Sequence, residues 1–87
     1  MTPTPQGVSD ELVRAIDLAI DGHWDESHEI AQRFETDATA RWIHAVLHKI
    51  EGDLGNSRYW YRQAGRPAAI DADPMEELRS IRATITG

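Results

Sequence analysis

Apolar positions recur every three to four residues through most of the chain, the spacing of helices that bury one face. Leu12, Val13, Ile16, Ala19 and Ile20 form the first stripe, and Gly22 beyond it suits a left-handed helix cap. Ser9 can cap the start, Asp10 and Glu11 favour the positive pole of the first turn, and Val8 can staple onto Val13. A second helix is predicted over 25–35, with Trp24, Ser27, Ile30, Ala31 and Phe34 on one face. A third opens at Asp37, carries Trp42, Ile43, Val46, Leu47 and Ile50, and stops at Gly52. The fourth, over 53–64, gathers Leu54, Ser57, Trp60, Tyr61 and Ala64 before Gly65 and Pro67 end it. After a linker over 67–72, Asp73-Pro74-Met75-Glu76 joins a capping Asp to Pro at the first helical position and Glu at the third. Met75, Leu78, Ile81 or Arg82, and Ile85 give that last helix an apolar edge. No segment alternates as a strand does. The expectation is an all-α domain over 9–87 of about five helices, behind a loose tail over 1–8.

Sliding the chain thirty residues against itself aligns these stripes. Asp21-Gly22-His23-Trp24 falls on Glu51-Gly52-Asp53-Leu54, Ser27 on Ser57, Ile30 on Trp60 and Ala31 on Tyr61. Upstream, Leu12, Val13, Ala15, Ile16 and Ile20 fall on Trp42, Ile43, Ala45, Val46 and Ile50. Such self-similarity is the mark of a repeated helical hairpin. The segments Gly22-His23-Trp24-Asp25-Glu26-Ser27 and Gly52-Asp53-Leu54-Gly55-Asn56-Ser57, with Trp60-Tyr61-Arg62-Gln63-Ala64, resemble the turn and second helix of tetratricopeptide (TPR) or Sel1-like repeats. The resemblance spans about 9–85 and implies two tandem antiparallel hairpins, with the helix from Asp73 as the cap that solvates such arrays. It departs from those families in its period of thirty rather than about thirty-four, and in having Ser at the small position. Trp42-Ile43-His44-Ala45-Val46-Leu47-His48, continued through Glu51-Gly52-Asp53 to Tyr59-Trp60-Tyr61-Arg62, also resembles a group of small bacterial helical proteins. That likeness implies a fold and no activity.

At 87 residues and 9.8 kDa the chain holds one core. The absence of cysteine excludes disulfides, a thiol nucleophile and thiolate metal sites. A net charge of −6 argues against nucleic acid or an anionic membrane as the main partner. No apolar run approaches a membrane span and no basic, apolar leader opens the chain, so a soluble cytoplasmic domain is expected. The charge is also divided: residues 1–37 carry two basic and nine acidic side chains, residues 38–70 five and two. An acidic first hairpin and a basic second one favour complementary packing, between hairpins or between two copies.

Two constellations could carry function. Tyr59 falls off the core stripe beside Arg58, Arg62 and Arg66, the composition of a partner-binding hot spot. This gives the first expectation: a non-catalytic interaction module, without cofactor, that binds a protein or peptide or a second copy of itself. His44 and His48 lie four apart, one above the other on a helix. Stepping about 100° per residue sets them, with Arg41 and Glu51, away from the core stripe. Paired histidines at that spacing can hold a divalent ion such as zinc, with Glu51, or His28 with Glu29 from another helix, completing the set. The alternative is therefore a small metal- or ligand-binding protein, with or without enzymatic activity, using His28, His44, His48 and Glu51. No nucleophile elbow, oxyanion hole or phosphate loop accompanies them.

Overall fold

Glycine at two helix ends turns the chain back on itself. In the computed structural model, which describes residues 5–86, helix α1 (Pro5–Ile20) ends at Gly22 and α3 (Ala38–Glu51) at Gly52, with φ of 88° and 87°. This left-handed conformation lets the amides of His23 and Asp53 reach back to the carbonyls of Leu18 and His48, at 2.8 and 2.9 Å, satisfying acceptors that a helix end leaves open. Each turn leads into the helix that packs on its predecessor: α2 (Trp24–Arg33) on α1, and α4 (Leu54–Gln63) on α3. The linker forms a short 3-10 helix, Pro67–Asp71, before α5 (Pro74–Thr86). The described residues contain no strand, so the fold is all-α, and none of their helices is long and apolar enough to cross a membrane.

The serines at the aligned positions set close helix contact. Ser27 Oγ donates to the Ala15 carbonyl at 2.6 Å, and Ser57 Oγ donates to the Ala45 carbonyl at 2.7 Å. Both hydroxyls are buried, and each bonds to the helix before its own, so the polar group is satisfied where a larger side chain would separate the backbones.

Helix α3 contacts α1, α2, α4 and α5, which makes it the central helix. Every residue from Trp42 to His48 is consequently buried, including His44 at 3% and His48 at 8% exposure. The single-stripe reading of this helix is corrected here: its second face is covered by α2 and α4 instead of by water. Ile50 and Leu54, expected in the core, are exposed at 37% and 45%, because they flank the Gly52 turn at the tip of the hairpin. Helix α1 also starts earlier than expected, so Ser9 lies inside it and caps nothing; proline suits a first turn, where the amide it lacks would have no helical partner. Of the expected tail, residues 1–4 lie outside the described part.

A buried polar network docks α5. Glu77, only 6% exposed, accepts from Trp42 Nε1 at 2.6 Å, from Tyr61 Oη at 2.7 Å and from Lys49 Nζ at 2.8 Å. Lys49 Nζ also donates to the carbonyls of Ala69, Ile70 and Ala72, tying the 3-10 segment to α3. Burial, and then the bond to Glu77, holds the Tyr61 hydroxyl well above the usual phenol range.

Candidate metal centre

Helix α2 supplies His28 and α3 supplies His44 and His48, and the contact between these helices brings the three imidazoles together. The Nε2 atoms of His28 and His44 lie 3.0 Å apart, and one ring nitrogen from each of the three residues falls within 4.8 Å of the others. Around a tetrahedral ion with metal–nitrogen bonds of about 2.0–2.1 Å, donor nitrogens stand about 3.3 Å apart. Nitrogens within 4.8 Å of one another stand near that spacing, which makes the three rings a candidate ligand set for one ion.

The surroundings fix both the orientation and the charge of the rings. Trp24 stacks on His28 with centroids 4.6 Å apart and an interplanar angle of 15°, and Trp60 stacks on His44 at 4.1 Å and 15°. Trp24 is itself held by its Nε1–H, which donates to the Leu47 carbonyl at 2.6 Å. Glu51 Oε1 lies 2.6 Å from His48 Nδ1. A carboxylate in that position accepts the Nδ1 proton, leaves the lone pair on Nε2 and raises ligand basicity. Burial, followed by the neighbouring charges of His28 and His48, lowers the pKa of His44 to about 4. Burial and then His48 also lower that of His28, against the opposing pull of Glu51, Asp25 and Glu35. Both rings are therefore neutral at pH 7, the form that ligates a metal. His44 Nδ1 is buried with no hydrogen-bond partner among the described residues, one of two such side-chain atoms there, the other being Glu11 Oε2.

All four candidate ligands of the sequence reading thus meet at one place, with His28, His44 and His48 as donors and Glu51 behind His48. A second grouping, His48 with Glu51 and Asp53, shares two of these residues, but Asp53 is engaged as the cap of α4 through Asn56. Trp24 and Trp60 are the residues that sequence reasoning missed. Trp24 precedes His28 by four, so its stacking was legible in the spacing; the Trp60–His44 pair depends on how α4 sits on α3.

The partner-binding candidates divide. Arg58, Tyr59 and Arg62 lie exposed on α4, Tyr59 at 46%, and neither arginine forms an ion pair among the described residues. Arg66 follows the helix and places its guanidinium carbon 3.7 Å from the centre of the Trp42 ring. Comparison with family models, curated proteins and solved structures yields no match to this chain.

Proposed function

We propose that this protein binds a divalent transition-metal ion through His28, His44 and His48, with Glu51 positioning His48. The observation that carries the reading is the convergence of three imidazole donors from two helices within 4.8 Å. Neutral nitrogen donors without thiolate select zinc, nickel, copper or cobalt over magnesium and calcium, and zinc is the ion favoured by a compact three-histidine set with an open fourth position. Bound there, the ion would cross-link α2 to α3.

Thermal melting with and without zinc tests this. At a hundredfold excess over the dissociation constant, binding to the native state alone adds about 2.7 kcal/mol, which raises the Tm of a chain this size by roughly 10–20 °C. His28→Gln is the preferred variant because that ring is only half-buried, and its loss leaves a small packing defect. The shift should vanish in His28→Gln, and Glu51→Gln should weaken affinity by about 10–100-fold. No shift with zinc, nickel or copper, or an equal shift in His28→Gln, overturns the reading.

A second reading, a surface for a protein partner or a second copy, is favoured by Tyr59 standing exposed between Arg58 and Arg62. Sedimentation across concentrations tests the self-association form: a dimer that Tyr59→Ala weakens supports it, and a strict monomer removes it.

A further inference from the structure

A cleft of about 630 Å³ opens where the start of α1, the start of α3 and the end of α5 meet, on a face without any of the histidines. Its walls are apolar at Val8, Leu12, Trp42 and Ile85, and Ser9, Thr39 and Thr84 also line it, the Thr84 hydroxyl donating to the Ile81 carbonyl at 2.7 Å. Its volume falls in the range of small-molecule sites, as does the mixture of apolar walls with a few polar groups. Two opposite charges also line it, Arg66 and Asp37.

Neither charge is neutralised by the other. The Arg66 guanidinium lies 3.7 Å over the Trp42 ring, an arrangement that holds it in place by cation–π attraction while the N–H donors at its rim stay available. Among the described residues it makes no ion pair and donates no hydrogen bond. Trp42 is a fixed platform, since it is 8% exposed and its indole N–H is anchored on Glu77 at 2.6 Å. Asp37 caps α3 through Oδ1, which accepts from the Ala40 amide at 2.9 Å, and Oδ2 has no partner among the described residues. A simple anion entering here meets the Asp37 carboxylate, and a simple cation meets Arg66. The complement of both is a molecule with both charges and an apolar body.

We infer that this cleft binds a free amino acid with an apolar side chain, its carboxylate on Arg66, its ammonium toward Asp37, and its side chain on Val8, Leu12 and Ile85. The fork of a guanidinium matches a carboxylate in two parallel hydrogen bonds, which fixes the polar end.

Three probes of one shape test the assignment: L-phenylalanine, 3-phenylpropionate, which lacks the ammonium, and 2-phenylethylamine, which lacks the carboxylate. Titration followed by amide and indole NMR should show saturable shifts at Trp42 Nε1–H, Val8, Thr84 and Ile85 with phenylalanine. Each single-charge probe should bind at least about tenfold more weakly, the scale of one charge-assisted hydrogen bond. Arg66→Gln and Asp37→Ser should each weaken phenylalanine by a similar factor; serine keeps the helix cap, so α3 stays intact. Asp37→Ser should not weaken 3-phenylpropionate. Thr84→Trp, which fills the cleft without changing its charge, should abolish binding. The inference is overturned if phenylalanine produces no saturable shift, if 3-phenylpropionate binds as tightly, if Asp37→Ser has no effect, or if binding survives Thr84→Trp.

Discussion

Replacing Glu77 by leucine removes the buried carboxylate on which three donors from two helices converge. Lys49 keeps three carbonyl acceptors, so its ammonium stays partly satisfied, but its counter-charge is gone. Trp42 Nε1–H and the Tyr61 hydroxyl lose their acceptor in a site with little water. Breaking one side of a buried ion pair typically costs about 3–5 kcal/mol, and an unsatisfied buried donor about 1–3 kcal/mol. These penalties overlap, so the expected loss is about 4–5 kcal/mol. A chain of this length has a total stability of about 4–13 kcal/mol, so Glu77→Leu should remove at least about a third of it. Glu77→Gln keeps acceptor oxygen for the indole and phenol and should lose only about 2–3 kcal/mol. Urea denaturation followed by circular dichroism measures both. Adding Lys49→Met to Glu77→Leu removes the orphaned charge, and the double variant should be more stable than the sum of the single losses by about 2 kcal/mol. The reasoning is refuted if Glu77→Leu falls within about 0.5 kcal/mol of the parent, or if the two substitutions are additive.

Ser27→Ala and Ser57→Ala should each cost about 1 kcal/mol in urea melts, the worth of one buried hydrogen bond, and either serine changed to Leu about 1–3 kcal/mol through overpacking. A variant of either kind that melts like the parent contradicts the close helix contact assigned to these positions. Gly52→Ala should lose about 1–2 kcal/mol although nothing lies within 4 Å of the added carbon, because only the left-handed backbone opposes it. Gly55→Ala, inside α4 with its nearest neighbour at 3.9 Å, should gain about 0.5–1 kcal/mol. With no metal added, stability should fall on acidification. The unfolded chain protonates His44 near pH 6.5 and the folded chain only near pH 4, so the unfolded state holds more protons in between, and up to about 3 kcal/mol present above pH 6.5 is lost as pH falls to 4. Equal urea midpoints at pH 7 and pH 4.5 would contradict this.

The helices and their turns were legible because their causes are local. A stripe at helical spacing, a capping Asp at 37, 53 and 73, and glycine at 22 and 52 act within a few residues of where they stand. The equivalence of Ser27 and Ser57 was legible too, since a small residue must stand where two consecutive helices approach closely. The histidines were legible as candidates, because a spacing of four fixes a shared face whatever lies beyond it. What that face meets was not, and the wheel that set His44 and His48 away from the core stripe could not foresee a helix covered on its other side as well. Glu77 shows the same limit more sharply. In the sequence it is the second of two acids in a first helical turn, where such residues favour the positive helix pole and face water. Its burial depends on Lys49, Trp42 and Tyr61, all more than ten residues away.

The sequence by itself determined the all-α class, the turns, the small contact positions and the shared face of His44 and His48, since each is set by spacing along a single helix or by one turn. Tertiary structure alone decided that His28 joins His44 and His48, that two indoles wall the cluster, that Glu77 is an interior anchor, and that Arg66 faces a cleft with Asp37. Each of these is a meeting of side chains from different helices, and packing sets their distance where sequence separation does not.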